Sequence, residues 1–348
     1  MTDRFCLIST MKNEGPFILE WLAHYKSLGF DDIVVCTNDC EDGTDTIMKC
    51  LQDRGLVRHH PTRRWERTSI QRAALKQASR TSQVKDARWV FVCDADEFLT
   101  IKIGDGTVRD LVRLSNIEAD VISVPWRIFG PNGVRDFVDQ PVSRQFTMAE
   151  TAPAPDNQAG KFVKSLFTGI ERFQRIGVHA PIPHEDHADS IVTVLPGGAV
   201  YKRGPVRTAN QPNFDFAQVN HYALRSVDSF LVKRARGRPN HESHTLGFDY
   251  WTRFDRNDVA DDAIRRYDAT VAEWMARFRA VDELMALHQD AVAWYHRQVA
   301  ALRADPEWQQ TIAMIEERLD PQPVGGATSQ KGALDVVTQG EPASDGAG

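Results

Sequence analysis

Apolar and polar positions alternate along the first third of the chain in a pattern that predicts strands separated by helices. Apolar residues at helical spacing predict a helix from Pro16 to Gly29, a second that ends at Gly55, and a third over about 69–79. This alternation favours an α/β fold with a mainly parallel sheet flanked by helices and joined by right-handed crossovers. Short apolar runs bounded by turn residues predict strands at 5–10, 32–36, 56–59, 88–93 and 119–124.

The rest of the chain is less regular at first and then helical. Residues 126–220 are rich in Pro, Gly and His, and they predict short strands and loops. Helical spacing returns from about Ser226 and is clear over 261–280 and 282–303. We therefore expect a domain over 1–240 with halves 1–125 and 126–240, a C-terminal helical region over 241–319, and a disordered tail over 320–348.

The composition narrows the class of protein. A net charge of −6 over 348 residues gives no reason to expect a nucleic-acid partner. No apolar run reaches the roughly 20 residues that a membrane helix needs, so we expect no integral membrane segment. The start, Met1-Thr2-Asp3-Arg4-Phe5, lacks a long apolar region, so we also expect no signal peptide. The five cysteines match no zinc-binding pattern. We interpret them as reduced thiols of a cytoplasmic protein.

Two carboxylates stand directly after the predicted strand 88–93. They belong to the segment Asp94-Ala95-Asp96-Glu97, in which the two aspartates are one residue apart. Carboxylates at the end of a buried strand are costly unless a cation or hydrogen bonds compensate them. The carboxyl ends of strands in an open α/β sheet are also where ligands bind. The segment therefore predicts a divalent metal at the edge of a nucleotide-type crevice.

Two further polar segments follow neighbouring predicted strands. Residues 10–14 come after the first strand, and residues 38–44 come after the second. Because parallel strands end at the same edge of a sheet, we expect both segments to meet the carboxylates at 94–97 in one crevice. Each segment also has a simpler interpretation, since 42–44 suits a turn with a helix cap and 12–14 suits a solvated loop.

Together these segments resemble a known family of enzymes. The residues that carry the resemblance are Lys12-Asn13-Glu14, Glu20-Trp21-Leu22, Gly29-Phe30-Asp31, Asn38, Asp42-Gly43-Thr44 and Asp94-Ala95-Asp96-Glu97-Phe98. They are similar to family-2-type glycosyltransferases with the GT-A fold, in the subgroup with a KNE…EWL…DGT…DxDEF signature. The resemblance covers residues 4–100 and continues more weakly through Asn220-His221-Tyr222, Ser226, Phe230, Lys233 and Arg236-Gly237.

The resemblance implies a metal site around the DxD motif. By similarity, Asp96 binds Mn²⁺ or Mg²⁺ directly, and Asp94 contacts the ribose or reaches the metal through water. His221 is the candidate third ligand, and the alternative is a structural histidine in a strand. Such a cation stabilises the charge that develops on a nucleotide-diphosphate leaving group. Carboxylate oxygens and imidazole suit these ions.

The resemblance also implies that residues 1–125 bind the nucleotide and 126–240 bind the acceptor. Asp39 can accept a hydrogen bond from a uracil N–H, which favours a UDP-sugar, although several nucleotides remain open. The candidate nucleotide-binding residues are Thr10, Lys12, Asn13, Glu14, Asn38, Asp39, Gln71, Arg72, Asp94 and Ala95.

An inverting transferase needs a base to deprotonate the acceptor hydroxyl. Asp186, with Glu185 beside it, is the candidate, because family-2 enzymes carry a Glu-Asp pair at about this distance after the DxD motif. The flanking residues His184 and His187 depart from the usual context. His179 is similar to a subgroup position that lines the acceptor side.

Several other residues have a structural interpretation beside a functional one. The basic segment 233–238 can contact phosphates or end a solvated helix. Lys161 and Lys164 are expected at the surface. Trp65 and Trp126 can stack on a sugar or a base, but core packing is the simpler interpretation.

The expected function is that of a metal-dependent glycosyltransferase. It would move a hexose-type sugar from a nucleotide-diphosphate sugar to a glycan, lipid-linked or small-molecule acceptor, in a setting such as polysaccharide biosynthesis. One alternative is a non-catalytic nucleotide-binding protein of the same fold. Another is an aspartate-nucleophile phosphohydrolase, although its motif normally lies on the first strand. The sequence leaves the sugar, the stereochemistry and the oligomeric state open.

Overall fold

The structure, a computed structural model, describes residues 3–63, 69–115, 118–151, 158–210, 212–237 and 247–319. Its strands are β1 (Phe5–Met11), β2 (Asp32–Thr37), β3 (Arg58–Pro61), β4 (Trp89–Val92), β5 (Glu97–Ile101), β6 (Val121–Ile128), β7 (Met148–Ala149), β8 (Val163–Thr168), β9 (Phe173–Arg175), β10 (Ile182–Pro183), β11 (Val192–Val194), β12 (Val200–Arg203), β13 (Ala217–His221) and β14 (Val259–Ala260).

The helices cover both the first third and the C-terminal part of the chain. They are α1 (Ile18–Ser27), α2 (Thr44–Asp53), α3 (Ile70–Ala78), α4 (Ser82–Lys85), α5 (Val108–Ser115), α6 (Val142–Gln145), α7 (Val227–Ala235), α8 (Phe248–Phe254), α9 (Asp268–Arg279), α10 (Asp282–Ala304) and α11 (Pro306–Leu319). Short 3₁₀ helices lie at Gly15–Phe17, Ala159–Lys161, Ile170–Arg172, Glu185–Ser190 and Ala263–Tyr267.

The central sheet has ten strands. Its main path runs β12-β11-β6-β8-β4-β1-β2-β3, and β13 and β5 continue it from β6. Strands β4, β1, β2 and β3 are mutually parallel, and β6 is parallel to β11 and β13. Strand β8 runs antiparallel between β4 and β6. The predicted α/β fold with a mainly parallel sheet flanked by helices is therefore confirmed.

Both faces of the central strands are buried, because helices cover each face. Leu7 of β1 and Phe91 of β4 belong to the hydrophobic cluster that includes α1 and α2. Ile8 and Val90, which point the other way, join Ala74 of α3 in a second cluster. Successive side chains of a strand face opposite sides of the sheet. This two-sided burial explains why these strands read as unbroken apolar runs in the sequence.

Strand β5 was not predicted, and it changes the setting of the DxD motif. The chain turns back immediately after Asp96, and the five residues of β5 are all buried. They pair antiparallel with β13, in a register that sets His221 opposite Glu97. Asp94 and Asp96 therefore lie in a tight turn between two strands at the edge where β1, β2 and β4 end.

The C-terminal helices pack onto the first half of the chain. Helix α9 lies along α1, and α10 contacts both α2 and α7. Leu284 and Tyr295 of α10 share one hydrophobic cluster with Leu7 of β1. In the part of the chain that the structure describes, no helix is both long and apolar enough to cross a membrane. The predicted domain boundaries stay predictions, and the 240/241 boundary and residues 320–348 lie outside the described residues.

Candidate active site

The two aspartates of the DxD motif lie close to the surface in the turn between β4 and β5. The Asp94 side chain is 28% exposed and that of Asp96 is 13% exposed. The turn is fixed from inside, because Glu97 donates its backbone N–H to the Asp94 carbonyl at 3.2 Å. The indole N–H of Trp21 donates to the same carbonyl, also at 3.2 Å. The carboxylates are thus held on a rigid support.

Strand β13 brings His221 to Asp96, as the sequence-based metal site requires. The distance from His221 Nε2 to Asp96 Oδ2 is 3.7 Å. One ligand atom each of Asp96, Glu97 and His221 lie within 4.8 Å of one another. Within the described ranges, Glu97 Oε1 and His221 Nδ1 are buried without a hydrogen-bond partner. The ring of Trp126 packs 4.1 Å from that of His221, so Trp126 is a packing residue at this site.

Two lysines neutralise the carboxylates of the turn. Lys164 of β8 lies with its Nζ atom 2.8 Å from Asp94 Oδ2 and 2.9 Å from Glu97 Oε2. Burial would lower the pKa of Lys164, but the carboxylates of Asp94 and Glu97 raise it above its ordinary value. The expected surface position of Lys164 is wrong, because this side chain is fully buried.

Lys233, at the end of α7, makes the corresponding contact with Asp96. Its Nζ atom lies 2.6 Å from Asp96 Oδ2 and 2.7 Å from the Ala223 carbonyl oxygen. Burial alone would raise the pKa of Asp96, but Lys233 and His221 hold it well below its ordinary value. Asp96 is therefore a carboxylate at neutral pH. Lys233 belongs to the basic segment 233–238, of which Arg238 lies outside the described residues.

The buried carboxylate of Glu14 joins the loop after β1 to the segment around α7, which follows β13. Glu14 forms ion pairs with Arg225, at 3.1 Å, and with Arg236. Arg225 also donates to the Ala95 carbonyl at 3.1 Å, so it reaches the backbone between the two aspartates. Its φ angle is +57°, in the left-handed region that is unfavourable for non-glycine residues. Strained residues of this kind cluster at functional sites.

Four carboxylates and four cations form one cluster around the DxD turn. We call it the ion-pair cluster, and it consists of Glu14, Asp94, Asp96, Glu97, Lys164, Arg225, Lys233 and Arg236. Its formal charges cancel. A divalent cation that entered alone would therefore add two uncompensated charges to a partly buried site, which is unfavourable.

The predicted nucleotide-binding residues fall into two groups. Thr10 joins the site through Gln71, whose amide donates to Thr10 Oγ1 at 3.4 Å and to Asp94 Oδ1 at 3.3 Å. Asn13 accepts from the backbone N–H of Glu41 at 2.8 Å and has a φ angle of +52°. These residues line the carboxyl ends of β1 and β4, next to the DxD turn.

The second group lies farther out or serves the architecture. Asp39 is exposed with a φ angle of +44°, and the Asn38 amide donates to its carboxylate at 3.3 Å. Arg72 is exposed, and its backbone N–H donates to Ser69 Oγ at 3.4 Å. Lys12 is half-buried, and its ammonium has no hydrogen bond or ion pair among the described residues. It is therefore available to an anion.

The motif Asp42-Gly43-Thr44 holds the loop after β1 in place through hydrogen bonds to its backbone. Asp42 accepts from the backbone N–H groups of Gly15 at 2.7 Å and Thr44 at 2.8 Å. The Thr44 hydroxyl accepts from the backbone N–H of Glu14 at 2.9 Å. These bonds tie the loop after β2 to the loop after β1. The segment forms a turn before α2, as predicted, but the N-cap residue of α2 is Gly43 and no side chain caps the helix.

The structure does not bring Asp186 and Glu185 to the DxD turn. Both lie in the 3₁₀ helix Glu185–Ser190, and the Asp186 side chain is 77% exposed. Ser190 bonds to Arg172, which pairs with Asp120 just before β6 begins. That position is at the amino-terminal edge of the sheet. Asp94 lies beyond the opposite end of β4, about 16 Å away along extended strands, so this placement does not support the predicted role as base.

His179 does lie near the site. Its Nδ1 atom is 3.0 Å from the carbonyl oxygen of Val163, the residue before Lys164. Because a carbonyl can only accept, Nδ1 carries the proton and Nε2 keeps a free lone pair. The ring stacks on Phe162 at 4.7 Å and packs against Trp126. Burial and Lys164 lower the pKa of His179 to about 3, so the imidazole is neutral.

Some site residues carried no clear sequence signal. Arg225 lies in an unremarkable segment, and only the fold sets it beneath the DxD turn. Lys164 had a weak signal, since it is a single charge within the apolar run 163–167. A lone lysine in such a run is expected to be buried with a carboxylate partner. Trp65 lies outside the described residues.

Comparison with known proteins gives the family. The family model for "Glycosyltransferase family 92" matches residues 5–186. Two matches to glycosyltransferase family 92 proteins of Ricinus communis are 24% identical over 152 residues and 23% identical over 240 residues. They cover 42% and 66% of this chain, but only 27% and 36% of the relatives. The chain thus spans about a third of the length of the curated relatives it matches.

Solved structures that are similar to this chain are distant. A mannosyltransferase from Pyrobaculum calidifontis in complex with GDP-Man and Mn²⁺ has a TM-score of 0.35 and 17% identity, covering 92% of this chain and 88% of that one. TarS from S. aureus has a TM-score of 0.34 and 15% identity, covering 91% and 80%.

The resemblance to a family of glycosyltransferases is confirmed, but the family differs from the predicted one. The matching family is number 92, whereas the signature predicted a family-2-type enzyme. The model match covers more than half of the chain and includes the segments 10–14, 38–44 and 94–97. The chain belongs to glycosyltransferase family 92.

Proposed function

We propose that this chain is a metal-dependent glycosyltransferase that transfers a sugar from a nucleotide-diphosphate sugar to an acceptor hydroxyl. The observation that carries the proposal is the convergence of Asp96, Glu97 and His221 at the carboxyl edge of the sheet, in a chain of this family. The acceptor class is a glycan, a lipid-linked molecule or a small molecule, as expected from the sequence.

The residues present fit a divalent cation. Two carboxylates and one imidazole offer the oxygen and nitrogen ligands that suit Mn²⁺, with Mg²⁺ as the alternative. Two buried polar atoms of this set, Glu97 Oε1 and His221 Nδ1, have no partner among the described residues. When bound, the cation supplies a Lewis acid for the diphosphate leaving group. Asp96, Glu97 and His221 are its proposed ligands, with Asp94 beside them.

The chain's own residues account for donor binding at this edge. Gln71 holds the Asp94 carboxylate next to Thr10, which orients Asp94 toward a ribose. Lys12, whose ammonium has no partner in the described part of the chain, offers a positive charge to a phosphate or carboxylate. Asp39, exposed at the end of β2, offers an acceptor to a uracil N–H, so we propose a UDP-sugar as donor.

His179 is proposed to recognise a sugar hydroxyl. Its Nε2 lone pair can accept a hydrogen bond, and the adjacent rings of Phe162 and Trp126 provide an apolar wall. A pKa of about 3 makes the imidazole a poor base at neutral pH, so this role is binding and not proton removal.

The setting of the reaction follows from the cysteines and remains a proposal. All five cysteines are free, and four of them are buried. This arrangement supports a reducing compartment such as the cytoplasm, where structural disulfides are rare. Polysaccharide biosynthesis is the proposed process, on the family analogy alone.

The proposal is tested by titrating UDP and GDP into the protein with and without Mn²⁺, followed by a donor-hydrolysis assay. We expect UDP to bind only with Mn²⁺, and we expect Asp96→Asn to lose that binding. Asp53→Asn, which removes an exposed carboxylate of α2, is the control with the same change in charge. Unchanged binding in Asp96→Asn would refute the metal role. Binding without any donor turnover would instead favour a non-catalytic nucleotide-binding protein.

A further inference from the structure

One carboxylate oxygen of Asp96 lies close to two different side chains, those of His221 and Lys233. Oδ2 faces His221 Nε2 at 3.7 Å, and the same Oδ2 accepts a hydrogen bond from Lys233 Nζ at 2.6 Å. The carboxylate oxygen that points toward the other candidate ligands is therefore blocked by an ammonium. A cation could use this oxygen only after Lys233 has moved.

We propose that Lys233 is a tethered counter-ion. In the protein without ligands its ammonium pairs with Asp96, and when the donor binds, the side chain swings so that the ammonium pairs with the diphosphate instead. The consequence is that the divalent cation and the diphosphate bind as one unit and each binds poorly alone. This inference rests on the proposed function and names the residue that couples the two ligands.

The environment of Lys233 allows this movement, and that of Lys164 does not. Lys164 is fully buried and contacts two carboxylates, whereas the Lys233 side chain is 19% exposed and contacts one. Its second bond, to the Ala223 carbonyl, is a neutral contact that water can replace. The four-carbon stem of lysine carries rotatable bonds that let the ammonium swing. Lys233 is therefore the cation of the DxD turn that can change partner.

The charges of the ion-pair cluster make this exchange favourable only when both ligands arrive. The cluster is neutral, so a divalent cation by itself would bring two unmatched positive charges. A diphosphate by itself would bring unmatched negative charge to the same neutral cluster. Together the two ligands nearly cancel, and Lys233 finds a new anionic partner within reach of its old position.

The test compares Mn²⁺ binding with and without UDP, measured by calorimetry on the full chain. For the unaltered protein we expect Mn²⁺ affinity to rise at least tenfold when UDP is present. In Lys233→Gln, which removes the charge but keeps a polar side chain, Mn²⁺ alone should bind at least fivefold more tightly. The same variant should bind UDP, at saturating Mn²⁺, at least fivefold more weakly. A purely structural role would weaken both affinities.

Two controls accompany the test. Lys233→Arg keeps the positive charge, and it should keep weak binding of Mn²⁺ alone. Arg234→Gln removes a neighbouring charge of α7 whose partners are Thr311 and the Trp308 ring, away from the DxD turn, and it should change neither affinity. If Lys233→Gln does not fold, judged by circular dichroism, Lys233→Met takes its place because it preserves the apolar stem.

The outcomes separate the inference from the proposed function. If Mn²⁺ alone binds Lys233→Gln no more tightly than the unaltered protein, the tethered counter-ion is wrong. In an unaltered protein that does bind UDP, equal Mn²⁺ affinity with and without UDP would overturn it as well. If no form of the protein binds a nucleotide at any Mn²⁺ concentration, the proposed function fails. The affinity of Lys233→Gln for Mn²⁺ alone, compared with that of the unaltered protein, still decides whether Lys233 hinders metal binding at Asp96.

Discussion

Lys164 Nζ lies 2.9 Å from Glu97 Oε2, and both side chains are completely shielded from solvent. The same ammonium lies 2.8 Å from Asp94 Oδ2, so one lysine of β8 holds both ends of the DxD turn. Buried charges are tolerated only when they are paired. We infer that Lys164 positions the Asp94 carboxylate and does not itself contact the donor.

Replacing Lys164 by methionine should strongly destabilise the fold. The substitution keeps the volume but leaves Glu97 buried without its cation, which typically costs about 3–5 kcal/mol in the free energy of unfolding. Urea denaturation measures this loss. Lys161→Met, three residues earlier and half-buried, is the control and should change stability by less than about 0.5 kcal/mol. A small effect of Lys164→Met would contradict the buried pair.

Replacing His221 by glutamine should weaken Mn²⁺ binding in the presence of UDP. Loss of the imidazole removes the one nitrogen ligand of the proposed site, and we expect an affinity loss of at least about tenfold. His187→Gln is the matched control, because His187 is 42% exposed in the 3₁₀ helix Glu185–Ser190 at the opposite edge. Equal Mn²⁺ affinity in both variants would mean that His221 is a structural residue.

Stability should fall in mild acid because of His24. This side chain is buried, and burial lowers its pKa from 6.5 to about 4, while its Nε2 contacts the Leu99 carbonyl at 2.8 Å. Between pH 6.5 and about pH 4, His24 is protonated in the unfolded chain but stays neutral in the folded chain. The contribution to stability is therefore complete above that pH and is lost as the pH falls toward 4.

The measurement for His24 is the free energy of unfolding at pH 7 and at pH 5. Linkage gives a loss of about 2 kcal/mol between these two values from this one group. His24→Gln can still donate to the Leu99 carbonyl but cannot titrate, so the difference between the two pH values should shrink by about that amount. An unchanged pH dependence in His24→Gln would show that other groups cause it.

Asp186→Asn and Glu185→Gln should leave donor binding and turnover near those of the unaltered protein. Both residues lie in the 3₁₀ helix Glu185–Ser190, which Ser190 and Arg172 tie to the amino-terminal edge of the sheet. Steady-state assays of transfer or of donor hydrolysis make the comparison, with Asp96→Asn as the inactive reference. A clear fall in turnover at unchanged donor affinity would restore Asp186 as the base and require this segment to move.

The sequence by itself determined the elements that depend on local pattern. Unbroken apolar runs identified β1, β2 and β4, because strands buried on both faces have no polar side. The position of Asp94 and Asp96 at the end of such a run indicated the candidate site. Local pattern failed at β5, where the return of the chain directly after the motif depends on pairing with the distant β13.

Only the tertiary structure decided how the charges of the site are compensated. Lys164 is 70 residues from Asp94 along the chain, and Lys233 is 137 residues from Asp96. Spacing in the sequence says nothing about such pairs, because the order of strands in the sheet sets which side chains meet. The same order sends Asp186 to the far edge, although its distance along the chain suited a base. The sequence thus identifies the residues that can take part in chemistry. Their ion-pair partners depend on the topology of the sheet, because it decides which distant segments meet.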